Sequence, residues 1–127
     1  VIGADTEVVS GGTVLGKPVD AQQATEFLTG LAGRAHEVHG GVAVLPGNPE
    51  LGDELVAHVV TTVRFRALSE AEIAAYVATG EWRERAGGYA IQGKGAMLVE
   101  AVEGDYLNVV GLSAATLAHS ALLRASF

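Results

Sequence analysis

Leu55-Val56-Ala57-His58-Val59-Val60-Thr61-Thr62-Val63-Arg64-Phe65-Arg66-Ala67 alternates in character: Val59, Thr61, Val63 and Phe65 fall on one side of an extended chain, Val60, Thr62, Arg64 and Arg66 on the other. Successive side chains of a strand point to opposite faces, so the pattern predicts one long strand with a buried face and a partly polar face. Such a strand needs neighbours. His36 to Leu45 is extended in character, Met97 to Val102 reads as another strand, and Val1-Ile2-Gly3-Ala4 with Thr6-Glu7-Val8-Val9 as a third. Ser10-Gly11-Gly12 folds that opening strand back into Thr13-Val14-Leu15-Gly16 as a hairpin.

Helical spacing separates these strands. Asp20 is placed to cap a helix with Gln23 at the capping-box position, and Ala24, Phe27, Leu28 and Leu31 recur on one face before Gly33 stops the run. Ser69 and Glu72 form a second capping box, with Ile73, Tyr76 and Val77 as the inner stripe and Gly80 as the left-handed stop. Pro46-Gly47-Asn48-Pro49 is a loop, Glu103-Gly104-Asp105 a turn, and Ser113 to Arg124 a closing helix. The expected class is α/β, a mixed, twisted sheet flanked by helices, because the early hairpin and the long paired strands argue against a purely parallel one. Residues 1–127 read as a single domain, and a chain opening at Val1 inside an apolar strand reads as one whose preceding segment is absent.

Composition narrows the partners. With 49% apolar residues the chain can bury a core, and no apolar run approaches the about 20 residues of a membrane-spanning helix, so no membrane partner is expected. The absence of cysteine excludes disulfides, thiolate metal sites and thiol catalysis, and suits a reducing, cytoplasmic setting. A formal net charge of -7 argues against binding a nucleic-acid polymer, whose phosphates require a basic surface. It does not exclude a small anion. Lys17, Arg34 and Arg85 could converge on a triphosphate, particularly with a divalent metal neutralising part of its charge.

Gly88-Tyr89-Ala90-Ile91-Gln92-Gly93-Lys94-Gly95-Ala96 crowds small residues and one amide around a turn with no evident packing purpose. Glycine admits positive φ and close approach of a ligand, and Gln92 carries both a donor and an acceptor. Taken in order with Val1-Ile2-Gly3-Ala4-Asp5-Thr6, Gly16-Lys17-Pro18, Gly33-Arg34-Ala35-His36-Glu37-Val38 and Asn108-Val109-Val110-Gly111-Leu112, this segment resembles the Maf family of nucleoside triphosphate pyrophosphatases along essentially the whole chain. The resemblance implies the Maf and inosine-triphosphatase-like fold. It also implies that a strand and a Ser/Arg-rich phosphate loop precede the point where this sequence begins.

Residue roles follow partly from chemistry and partly from that resemblance. Asp5 stands at a strand end, where it could bind Mg²⁺ or Mn²⁺ or accept a proton from water. The resemblance implies general base. Lys17, between Gly16 and Pro18, suits a clamp on non-bridging phosphate oxygens, the role implied for the matching family lysine. Thr6 and Gln92 match positions linked to substrate selection, and Ile91-Gln92-Gly93 points toward the branch resembling dTTP/UTP pyrophosphatases. Arg85 stands where relatives commonly have lysine, which keeps the charge but changes the geometry. Trp82 offers either a stacking surface for a base or an interfacial or core side chain. His36 and His39, three apart on a strand, face opposite ways and make no zinc pair, while His58 and His119 show no partner.

The expected reaction is metal-assisted attack of water on the α-phosphorus, releasing a nucleoside monophosphate and pyrophosphate, by an enzyme whose relatives are implied to be homodimers. The competing expectation is a catalytically silent nucleotide-binding module tied to inhibition of septum formation.

Overall fold

The computed structural model describes residues 2–44, 55–104 and 106–110. The expected Pro46–Pro49 loop, the closing helix over 113–124 and His119 lie outside them. The described chain runs β1 (Ile2–Ser10), β2 (Thr13–Leu15), α1 (Ala21–Leu31), β3 (Ala35–Val44), β4 (Leu55–Phe65), α2 (Glu70–Ala78), β5 (Val99–Glu103) and α3 (Tyr106–Val110), with 3₁₀ turns at Ala86–Gly88 and Lys94–Leu98.

The strands form one five-stranded sheet in the order β2-β1-β3-β4-β5. The α/β class and the helices packed on the sheet match the expectation. Every described pairing is antiparallel, so among the described residues the sheet contains no parallel pair. The reason is visible in the connections: β1 to β2 is a two-residue hairpin in which Gly11 (φ 56) and Gly12 (φ 81) both take the left-handed conformation that the sheet's twist favours.

β4 carries the alternation expected of it. Thr61, Val63 and Phe65 are buried, whereas Val60 and Arg64 are exposed. The strand stops at Phe65 rather than Ala67 because the register with β5 shifts at Arg64/Phe65 and Arg66 turns to other work. Its guanidinium donates to Met97 O at 2.6 Å and pairs with Glu72 at 2.6 Å, joining the sheet to α2 and to the 94–98 turn.

Asp20 caps α1 by accepting Gln23 N–H at 2.8 Å, and Ser69 with Glu72 completes the α2 capping box. Leu28 and Leu31 of α1, with Ile73 and Tyr76 of α2, meet Val8, Val38, Val63 and Phe65 in one core. Each fully buried leucine contributes about 1.5–3 kcal/mol.

Asn108 locks α3 down. Its amide donates to Val38 O (3.0 Å), Val59 O (3.2 Å) and Thr61 Oγ1 (3.1 Å), two hydrogens shared among three acceptors, and Asn108 is 1% exposed. Gly40 leaves room for it, since a Cβ there would collide with Asn108 Oδ1. Asn108→Ala is expected to cost about 1–3 kcal/mol in urea unfolding by stranding buried carbonyls. Gly40→Ala should be markedly milder in the Asn108→Ala background than alone; equal costs in both would mean that Asn108 is not what Gly40 accommodates.

Candidate functional site

Backbone contacts bring two of the motif segments together. Gly87 N–H donates to Gly16 O at 3.1 Å, so Gly16-Lys17-Pro18 is tied to the Ala86–Gly88 turn. Gly87 (φ 73) and Gly88 (φ 85) are left-handed, and both are crowded: a Cβ on Gly87 would stand 3.0 Å from Val8 Cγ1, and one on Gly88 3.3 Å from Pro18. Lys17 and Arg85 therefore share a rim, both exposed. Lys17 Nζ lies 3.5 Å from Glu84 Oε2, whose backbone is itself left-handed at φ 60. An exposed pair of this kind contributes about 0–1 kcal/mol.

The glycine-rich segment has a packing purpose after all. Gly93 N–H donates to Ala90 O at 3.1 Å, closing a turn with Ile91 buried at its second position and Gln92 exposed at its third. The Tyr76 hydroxyl accepts Ala90 N–H at 3.0 Å and donates to Glu81 Oε1 at 2.8 Å. Glu81 in turn accepts Gly95 N–H at 2.9 Å and Lys94 N–H at 3.0 Å. A Cβ on Gly93 would stand 2.5 Å from Glu81 Oε2, and one on Gly95 would collide with Ala90 O. What approaches this backbone is the protein's own chain. Burial works to raise the Glu81 carboxyl pKa, but the Tyr76 hydroxyl, the two amides and the Lys94 charge outweigh it and hold it below its ordinary value. Tyr76 and Glu81 carried no functional expectation. The available signal was an acid just beyond a helix stop, preceding a run rich in backbone donors.

His36 joins the same region from below. It is 3% exposed, its Nε2 lies 2.7 Å from the Tyr89 hydroxyl, and its ring meets Phe65 and Tyr89 edge-on. Burial lowers its pKa from 6.5 to about 4, so the imidazole is neutral at pH 7, and its Nδ1 is buried without a hydrogen-bond partner. His36 thereby anchors Tyr89 at the entry to the Gln92 turn.

Asp5 lies inside β1, opposite Gly41, and not at the strand end expected of it, because pairing with β3 continues without a break through Val9; Thr6, half-buried, lies opposite Gly40. Arg34 lies elsewhere. It lines a cavity of about 400 Å³ with Ser10, Leu15, Glu26 and Phe27, which neither Lys17, Arg85 nor Gln92 lines. Among the described residues no three His, Asp or Glu side chains are grouped to hold a metal, so these residues do not by themselves build a metal centre. Trp82 is buried and donates its indole N–H to Val77 O at 2.9 Å, with Arg83 over its ring; the core role holds and no base can stack there. His39 does face away from His36, but His58 has a partner. His39 Nδ1 lies 3.0 Å from His58 Nε2, and His39 Nε2 lies 3.2 Å from Glu37. That diagonal contact follows from the β3–β4 register, which no spacing along the chain reveals.

The sequence profile described as Maf-like protein matches residues 1–124. The chain belongs to the Maf family. Among similar proteins, the dTTP/UTP pyrophosphatase of Moorella thermoacetica is 54% identical over 88% of this chain and 57% of its own length. That of Symbiobacterium thermophilum is 52% identical over 88% of this chain and 56% of its own length. That of Anaeromyxobacter dehalogenans is 52% identical over 98% of this chain and 63% of its own length. The Maf chain described here thus spans little more than half the length of these relatives. No helix among its described residues is long and apolar enough to cross a membrane.

Burial of His36 has a pH consequence for this Maf chain. The unfolded chain binds a proton on His36 below about pH 6.5, whereas the folded chain does not until about pH 4. Stability is therefore fully present above pH 6.5 and declines as pH falls toward 4, by at most about 3 kcal/mol. Thermal melts should lose Tm over that window more steeply for the wild type than for His36→Gln, in which the other histidines still titrate. Equal slopes in the two proteins would place the acid lability elsewhere.

Proposed function

We propose that this chain forms part of a nucleoside triphosphate pyrophosphatase that cleaves pyrimidine nucleoside triphosphates to the monophosphate and pyrophosphate. The observation that carries the reading is the Gly16–Gly87 bond that gives Lys17 and Arg85 a shared rim, with Gln92 exposed on a turn of the same 79–98 segment as Arg85, in a chain about half identical to proteins named dTTP/UTP pyrophosphatases. Lys17 and Arg85 bind non-bridging phosphate oxygens, with Lys17 leaving Glu84 as the anion arrives. Gln92 and Thr6 read the base and ribose, since an amide that the bound base covers but leaves unpaired costs about 1–3 kcal/mol. Asp5 takes the proton from the attacking water. Arg34, on its own cavity, is given no phosphate. A divalent cation, Mg²⁺ or Mn²⁺, accompanies the triphosphate and neutralises part of its charge. The proposal includes a homodimer, which sedimentation equilibrium would confirm or dismiss.

Purified protein incubated with a panel of nucleoside triphosphates and Mg²⁺ or Mn²⁺ is expected to release pyrophosphate, fastest from dTTP and UTP. Asp5→Asn should lower kcat by on the order of 10²–10⁴. Lys17→Ala should lower kcat/KM by about tenfold or more, and less so at high ionic strength. Nucleotide binding without pyrophosphate release would sink the catalytic reading in favour of a binding module.

A further inference from the structure

The Gln92 turn is held at both ends by a single pair of side chains. Tyr76 holds Ala90 at its start, Glu81 holds Lys94 and Gly95 just beyond its end, and the Tyr76 hydroxyl donates to the Glu81 carboxylate. Among these groups, Gln92 is exposed and free to meet a ligand.

The geometry points to Glu81, acting through Tyr76 and the backbone of residues 93–95, as the residue that positions Gln92 and thereby sets base selectivity. Its selectivity component rests on the pyrophosphatase reading; its positioning component rests on the hydrogen bonds alone. Two successive N–H groups aimed at one point form an anion-binding concavity, which in a glycine-rich loop is where a phosphate would ordinarily be sought. Here the Glu81 carboxylate fills it, so the loop offers a ligand the Gln92 side chain rather than its amides. Amide recognition of a base is steep in distance, and a displacement of about 1 Å at a positioned group can cost on the order of 10²-fold. Glutamine at position 81 would turn an NH₂ toward a backbone N–H and lose at least one bond. Aspartate is one methylene too short to reach both amides from the same backbone.

The test compares the wild-type protein with Glu81→Gln, Tyr76→Phe and Asp20→Ala. The last removes the α1 cap and touches neither end of the turn, so it reports what simple destabilisation does. In Glu81→Gln, amide hydrogen exchange at Lys94 and Gly95 should accelerate about tenfold or more. KM for dTTP and UTP should rise about tenfold with kcat within about threefold, and the preference for pyrimidine over purine triphosphates should narrow by a similar factor. Tyr76→Phe should move the same quantities in the same direction, whereas Asp20→Ala should lower Tm and leave the preference unchanged. If Glu81→Gln loses Tm as Asp20→Ala does and keeps its KM and base preference, Glu81 is structural only and the inference is overturned. A wild type that hydrolyses no triphosphate would remove the pyrophosphatase reading instead. Calorimetric titration of dTTP against dATP on wild type and Glu81→Gln then decides selectivity, unchanged relative binding counting against it, and the exchange rates still decide positioning.

Discussion

β3 is hydrogen-bonded along both edges, to β1 from Val9↔Glu37 through Ile2↔Val44 and to β4 from Ala35↔Arg64 through Val44↔Leu55. The parity of that double register decides what lies inside. His36 and Val38 point into the core with Val8, Thr61 and Val63, while Glu37 and His39 take the other face with His58. A slip by one residue would exchange those sets, burying Glu37 and expelling Val38. Val8 against Gly87, Asn108 over Gly40 and His36 beneath Tyr89 all presuppose the same register.

From that base, support climbs through side chains rather than through regular structure. Residues 79–98 contain no strand or α-helix, yet they are held at several points: Gly87 by Gly16 O, Tyr89 by His36, Ala90 by Tyr76, residues 94 and 95 by Glu81, and Met97 by Arg66. His36 and Tyr76 lie in the sheet and α2, and Gly16 and Arg66 directly follow β2 and β4, so the loop inherits the rigidity of the core. Functional groups displayed on such a loop sit on a fixed platform despite the irregular backbone.

Much of the fold was legible because its signals are local. The alternation of β4, the Gly11–Gly12 turn, the Asp20 and Ser69 caps and the Gly80 stop each depend on residues a few positions apart. What escaped depends on residues far apart in the chain. The His39–His58 contact needs the register of two strands, and the glycines at 93 and 95 look like ligand clearance until Glu81 and Ala90 are seen occupying that space. For the same reason Lys17 and Arg85 could be read as phosphate-binding residue types, and their shared rim follows only from the Gly16–Gly87 bond. The short α3 was hidden because Tyr106–Val110 is too brief to show a period, and it is held to the sheet by the buried Asn108 amide and by Val109 against the core.

β2 has a further consequence for how the molecule behaves in a crowd. Among the described strands it forms one border of the sheet, and it is only three residues long, entered through two left-handed glycines. A border that short offers a neighbouring molecule few open donors and acceptors to template against, and the tight turn bends the backbone away from extension beyond it. The hairpin that leads the chain toward Lys17 gives that protection to β1 at Val8–Ser10, the turn end of the border.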